Sequence, residues 1–247
     1  VSLTIIGAGP GDPALLTPRA AAALADATDL VGYGPYLDRL PERAGQRRHP
    51  SDNRVELERA RHALGLAAAG QRVAVVSAGD AGVFGMAAAV FEAVDGDPAW
   101  RTVDIEVIPG ISALLAAAAR LGAPLGHDFC AISLSDNLKP WEVITARLRA
   151  AAAAGFVITL YNPLSRARPW QLGAAFALLR TVLPAATPVA FATAISRADE
   201  RVSVVTLGTA DPAAADMRTL VLIGTAATRR IDGTGWLYTP RSAGAAP

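Results

Sequence analysis

Four segments of this 247-residue chain place glycine, proline and small polar residues directly after apolar runs. They are Gly7-Ala8-Gly9-Pro10-Gly11-Asp12-Pro13, Ser77-Ala78-Gly79-Asp80-Ala81-Gly82, Pro109-Gly110-Ile111-Ser112 and Tyr161-Asn162-Pro163. Glycine lets backbone approach a ligand closely, and Ser112 can cap a helix or donate to a ligand. In an open parallel sheet, ligands bind beyond the carboxyl ends of the strands. One such turn alone means a tight connection, but four of them can wall one binding site. The first segment invites a dinucleotide-binding reading, which fails. Asp12 stands where the third glycine is needed, and Pro10 removes an N–H from the turn that would cradle pyrophosphate. Val31-Gly32-Tyr33 offers no carboxylate for a ribose, and no P-loop motif is present.

These turns need a scaffold that ends several strands side by side. Short apolar runs alternate with Ala/Leu/Arg-rich amphipathic stretches, which predicts an α/β fold. In the first half, strands are predicted at Ser2–Ile6, Asp29–Val31, Arg72–Ser77 and Thr102–Ile108. Thr17 caps a helix with Pro18 in first position, continuing over Arg19–Ala25. Asp52 or Asn53 starts a helix through Ala69, with Glu56, Arg59 and Arg61 on its wet side, and further helices cover Val83–Val94 and Ile111–Leu121. Gly122–Asp128 reads as a linker. Beyond it, strands are predicted at Phe129–Leu134, Phe156–Tyr161, Thr187–Ala192, Val202–Leu207 and Leu220–Gly224, with helices at Pro140–Ala153 and Trp170–Leu183. The connection between Ala192 and Val202 is too short for a crossover helix, so those strands are expected to be antiparallel. The expectation is two α/β lobes, residues 1–121 with a parallel sheet and 122–247 with a mixed one. The small polar tail after Arg241 is expected to be disordered.

Composition narrows the chemistry. Hydrophobic content of 52% supports a sizeable core. Apolar stretches are too short and too interrupted to span a bilayer, and the chain shows no basic leader, so a soluble cytoplasmic protein is expected. Cys130 is the only cysteine, and His49, His62 and His127 show no metal-ligand spacing, so neither a metal nor an iron–sulfur cluster is expected. A net charge of +1 supplies no general drive towards nucleic acid. Of the 23 basic residues only Lys139 is a lysine, a bias that suits grip on carboxylates but that a genome-wide preference for arginine also explains.

Gly-x-Gly-Pro-Gly-Asp near the start, Gly-Asp before a helix and Pro-Gly-Ile-Ser after a strand resemble the tetrapyrrole (class III) methyltransferases in order and spacing. Val31–Tyr36, Leu125–Asp136, Leu160–Pro163 and Ala215–Thr219 look like the members of that family that methylate precorrin-3B at ring carbon 17 in cobalamin biosynthesis. Ala81 departs from the pattern, which commonly has proline there. The resemblance implies a bilobed homodimer with S-adenosylmethionine folded into the cleft between lobes, leaving as S-adenosylhomocysteine. Carried over by position, the donor contacts fall on Pro10, Gly79, Asp80, Val83, Ser112, Ala113, Tyr161, Asn162, Ile195, Thr219 and Leu220. The donor has no phosphate, which fits loops without lysine or arginine.

The implied reaction ends in ring contraction, which needs a proton acceptor. His127 is the one histidine inside a family-like segment, Asp128 can orient it or cap local backbone, and a linker turn is an equal reading for both. Lys139, and Asp12 on a loop that the family turns towards the tetrapyrrole, are further catalytic candidates. Arg43, Arg47, Arg48, Arg166 and Arg168 are candidates for the carboxylates around the macrocycle, with Asp136 nearby, although a solvated surface explains any single one. Other functions are a cobalt-containing substrate, another tetrapyrrole carbon, methylation of ribosomal RNA or a translation factor, and a non-catalytic nucleotide-binding module.

Overall fold

The computed structural model describes residues 2–53, 55–165 and 167–242. Arg166 and all but the first residue of the tail after Arg241 lie outside them. The chain divides into two compact units between Ala113 and Leu114.

In the first unit, β1 (Ser2–Gly7), β2 (Asp29–Tyr33), β3 (Arg47–Ser51), β4 (Val73–Ser77) and β5 (Asp104–Ile108) form a sheet in the order β3-β2-β4-β1-β5. Every pairing in it is parallel. Helices α1 (Pro18–Asp26), α2 (Gly34–Leu37), α3 (Glu56–Ala68) and α4 (Met86–Gly96) connect the strands. The Thr17 hydroxyl accepts from the Ala20 N–H at 3.2 Å, so α1 starts as predicted. All of β4 is buried, as a central strand covered on both faces requires. Leu3, Ile5, Val73 and Val75 pack with α3 and α4, whereas Ile6, Ala74, Val76 and Ile108 pack with α1 and α2.

Two sequence expectations fail in this unit. Strand β3 was not anticipated, because Arg-Arg-His-Pro-Ser has no apolar alternation; as an edge strand it needs none. Arg59 is buried, not on the wet side of α3. Its guanidinium donates to Ser51 Oγ at 2.6 Å, to the Asp52 carbonyl and to the Met86 sulfur at 3.2 Å, which makes burial tolerable.

The second unit begins with α5 (Ala113–Leu121) and β6 (Gly122–Ala123), followed by β7 (Phe129–Ser133), α6 (Trp141–Ala153), β8 (Val157–Tyr161), α7 (Gln171–Leu179), β9 (Pro188–Thr193), β10 (Arg201–Thr206), β11 (Thr219–Ile223), β12 (Arg229–Arg230) and β13 (Leu237–Tyr238). Its main sheet runs β10-β9-β11-β8-β7, parallel only between β7 and β8. The antiparallel β9–β10 pair inferred from the short connection is present. Helices α6 and α7 cover one face through Ile144, Leu148, Leu172 and Phe176, and Leu121 and Leu237 pack on the other.

The division falls after the first residue of α5, whereas the sequence reading placed it after Leu121. Burial of Leu121 among Val157, Ala190 and Leu222 holds α5 to the second unit. The supposed linker is also no free tether. Gly122 pairs with Leu237, and the Thr239 hydroxyl donates to the Pro124 carbonyl at 2.6 Å.

Glycine carries opposite stability signs at two positions. A Cβ at Gly110 would lie 2.2 Å from the Gly79 carbonyl oxygen, whereas one at Gly65 in α3 meets nothing within 4 Å. Gly110→Ala should lose about 1–3 kcal/mol by overpacking against backbone that cannot yield. Gly65→Ala should gain about 0.5–1 kcal/mol through helix propensity. Urea denaturation of both variants checks the two signs.

Candidate functional site

Register places three strand ends of the first sheet side by side. Gly7 pairs with Ser77, and Ile6 pairs with Ile108, so the turns after β1, β4 and β5 leave one edge together. Pairing continues past the strands, with Gly9 N–H donating to the Gly79 carbonyl at 3.0 Å and Gly79 N–H to the Gly9 carbonyl at 2.8 Å. Gly7, Gly79 and Gly110 approach so closely that a Cβ on Gly7 would lie 2.5 Å from the Gly110 nitrogen. Asp80 locks this contact. One carboxylate oxygen accepts from the Gly82 N–H at 2.8 Å and the other from the Gly110 N–H at 2.9 Å. Asp80 does not cap the following helix, which starts later, at Met86, with the Ser77 hydroxyl accepting from its N–H at 3.3 Å. Pro10, Val83, Ser112 and Ala113 lie in the same turns, Pro10 and Ser112 being buried.

The second unit builds a comparable edge. Ser133 at the end of β7 pairs with Tyr161 at the end of β8, and Thr219 at the start of β11 pairs with Thr193 at the end of β9. The Tyr161 hydroxyl accepts from the Leu114 N–H at 3.1 Å, and Asn162 Nδ2 donates to Ser133 Oγ at 2.9 Å. The Thr193 and Thr219 hydroxyls share a buried hydrogen bond of 2.8 Å, and Thr219 Oγ1 donates to Asp216 at 3.0 Å. Burial works to raise the Asp216 carboxyl. The Arg218 N–H, the Thr219 hydroxyl and the Arg218 guanidinium outweigh it and hold the group below its ordinary value. Ile195 and Leu220 are buried at this edge.

Strain concentrates at these two edges. Among the described residues, the non-glycine positions with left-handed φ are Phe84 (53°), Asn162 (50°), Ala194 (50°) and Ser196 (61°). Phe84 follows Val83, and Ala194 and Ser196 flank Ile195. Such conformations cost about 1–3 kcal/mol each and cluster at functional sites. Asn162 was legible, since asparagine tolerates this region. The others carry no signal in residue type, and the supporting Ser133 and Thr193 were equally invisible because they act only across strands.

Several site candidates fall elsewhere. His127 and Asp128 precede β7, so they sit at the opposite edge from Tyr161 and Asn162. At about 3.3 Å per residue, the strand separates them from that edge by roughly 16 Å. The Asp128 N–H donates to His127 Nδ1 at 2.8 Å, which occupies the lone pair a base would use. The turn-closing role is therefore the one the geometry supports.

Arg47 and Arg48 open β3, at the amino end of the first sheet. Arg47 grips the buried Asp29 through Nε at 2.8 Å and Nη2 at 3.0 Å and reaches Gln71. This bond above all, with those from Thr28 and His49, outweighs burial and holds the Asp29 carboxyl far below the usual carboxylate range. Arg48 donates to the Leu37 and Leu40 carbonyls at 2.9 and 2.8 Å. Both arginines fasten the fold through these bonds, although the Arg47 side chain is also 60% exposed. Arg43 is exposed in the turn before β3.

Other candidates follow the carboxyl ends of their strands. Asp12 follows β1 and uses one oxygen to accept from the Ala14 N–H at 2.8 Å. Asp136 and Lys139 follow β7, with Asp136 accepting from Gln171 at 3.1 Å. Burial, and then the charge of Arg147, push the Lys139 ammonium below its ordinary value. Arg168 follows β8. Among the described residues no cluster of His, Cys, Asp or Glu fits a metal, and no helix is long and apolar enough to cross a membrane.

Comparison with known proteins accords with this arrangement. Residues 2–211 match the tetrapyrrole (corrin/porphyrin) methylases. A precorrin-3B C(17)-methyltransferase of Sinorhizobium sp is 60% identical over 244 residues, covering 97% of this chain and 96% of the relative. A probable cobalt-factor III C(17)-methyltransferase of Salmonella typhimurium is 43% identical over 240 residues, covering 97% and 98%. The crystal structure of the methyltransferase CobJ superposes with a TM-score of 0.94 at 53% identity, covering 97% of this chain and 99% of that one. With its glycine-built sheet edges and a match over most of its length, the chain belongs to the tetrapyrrole (corrin/porphyrin) methylases.

Proposed function

We propose that this protein methylates precorrin-3B at carbon 17, with ring contraction to precorrin-4, in cobalamin biosynthesis. The carrying observation is 60% identity to a precorrin-3B C(17)-methyltransferase across 97% of the chain. The methyl donor is S-adenosylmethionine, whose sulfonium supplies an electrophilic methyl group. The turns at Gly7–Asp12, Ser77–Val83 and Pro109–Ala113 suit it, since they offer backbone, small side chains and the Asp80 carboxylate but no lysine or arginine. Resemblance assigns Tyr161, Asn162, Ile195, Thr219 and Leu220 to the same donor.

The protein's own work is orientation and exclusion of water. Asp80 keeps the first-unit turns in register before any ligand arrives. For the proton lost on ring contraction, Asp12 and Lys139 stand at carboxyl edges of their sheets and His127 does not. A cobalt-containing substrate is the second reading, favoured by the 43% identical Salmonella relative. We also infer a homodimer. Helix α4 exposes Phe91 and edge strand β5 exposes Val107, apolar surface that a second copy would cover.

S-adenosylhomocysteine should bind, and Gly79 separates the site from general strain. Gly79 (φ 65°) and Gly70 (φ 87°) are both left-handed, but Gly70 lies in the turn between α3 and β4 with nothing near its Cβ direction. Alanine at either should cost about 1 kcal/mol or more of stability. Calorimetry should show weakened S-adenosylhomocysteine binding only for Gly79→Ala; equal loss in both, or in neither, removes the assigned site.

Incubation with S-adenosylmethionine and either precorrin-3B or its cobalt-containing counterpart, followed by mass and visible spectra, should give a ring-contracted product from precorrin-3B. Product from the cobalt substrate alone would favour the second reading. His127→Ala should contract the ring within about threefold of the parental rate, whereas loss of the true acid–base group costs about 10²–10⁴-fold. Light scattering at micromolar concentration should give twice the 25.4 kDa chain mass, and a monomer would refute the dimer.

A further inference from the structure

Buried polar groups nearly always find partners, and each exception calls for an explanation, a functional role among them. Five buried side-chain polar atoms have no hydrogen-bond partner among the described residues. Four of the five lie between residues 165 and 171: Ser165 Oγ, Arg168 Nε, Arg168 Nη1 and Gln171 Oε1. Two nitrogens of the Arg168 guanidinium are thus buried without an acceptor, although the residue as a whole is only half-buried, and an unmet charged donor is costlier than an unmet neutral one.

Local geometry shows that this is a built feature. Ser165 N–H donates to the Arg168 carbonyl at 3.1 Å, and Arg168 N–H to the Ser165 carbonyl at 3.0 Å. Residues that exchange both bonds stand opposite one another, so the Ser165 and Arg168 side chains leave the turn on the same face. The segment is anchored at its far end, where Gln171 Nε2 donates to Asp136 at 3.1 Å. Beside it Trp170, half-exposed, meets Trp141 edge to face at 4.9 Å. The segment follows β8 and therefore leaves the same sheet edge as Tyr161 and Asn162.

Among the described residues, the other arginine candidates do not share this character. Arg47 is spent on Asp29, Arg48 on two carbonyls, and Arg43 is exposed near the amino end of its sheet. We propose that Arg168, with the Ser165 hydroxyl beside it, binds one peripheral carboxylate of the tetrapyrrole and so sets its orientation at the second-unit edge. The proposal rests on the function given above. The carboxylate supplies the acceptors that Arg168 and Ser165 lack, and charge-assisted bonds of this type are the strong ones.

A binding group held unpartnered behaves differently from a structural one when removed. Arg168→Met keeps length and packing but discards the unpaired charge. Its melting temperature should equal or exceed that of the parent, with unchanged S-adenosylhomocysteine affinity. The Michaelis constant for precorrin-3B should rise about 10- to 100-fold while turnover at saturation stays near parental. Arg168→Lys should recover part of the loss. A parental Michaelis constant in Arg168→Met would overturn the proposal. So would a fall of several degrees in melting temperature, or a failure to fold, since either makes Arg168 structural. The parent enzyme is the control for the underlying function: if it makes no product from precorrin-3B, the substrate reading fails, and Arg168→Met is then compared on the cobalt-containing counterpart.

Discussion

Three backbone segments meet at Gly7, Gly79 and Gly110, with no room for a Cβ on Gly7 or Gly110. Much of the arrangement at the carboxyl edge of the first sheet follows from that contact. It draws the turns after β1, β4 and β5 to one place, and it leaves their N–H and carbonyl groups to be satisfied by one another rather than by water. Asp80 completes the arrangement by accepting from both Gly82 and Gly110. Its carboxylate therefore works first as a brace, and any contact it makes with a donor is superimposed on that role. Preorganisation of this kind lowers the ordering cost of binding.

The second unit reaches a similar result with different chemistry. Its strand ends are joined by side chains: Asn162 to Ser133, Thr193 to Thr219, Thr219 to Asp216. Mixed strand directions explain the difference. In the parallel sheet each turn leads to a helix and glycine is needed for close passage, whereas here the start of β11 lies between the ends of β8 and β9. The left-handed residues Asn162, Ala194 and Ser196 turn the chain away at that crowded edge. Strain at both edges is offset by the apolar cores behind them, which stay buried on both faces of both sheets.

Arginine shows how little a composition says about roles. The same side chain secures a strand end at Arg47, caps carbonyls at Arg48, crosses the core to a sulfur at Arg59 and leaves two buried guanidinium nitrogens without acceptors at Arg168. What separates these uses is the acceptor within reach, and acceptors are supplied by other parts of the chain.

The α/β alternation, most strands and helices, the antiparallel β9–β10 pair and the glycine turns were legible in the sequence, because each depends on local periodicity or on residues with special backbone freedom. The motif resemblance was legible for the same reason, since contiguous residues carry it. The sequence did not reveal that β3 exists, that α5 belongs to the second unit, or that Arg59 points inward. Nor did it reveal that His127 lies at the opposite edge of its sheet from Tyr161 and Asn162. Each of these depends on which strand neighbours which and on where a long side chain finds an acceptor. Strand order and register bring together residues as distant in sequence as Gly7 and Gly110, or Leu160 and Val221. Local propensity carries no information about such pairings; the packing of the whole sheet decides them.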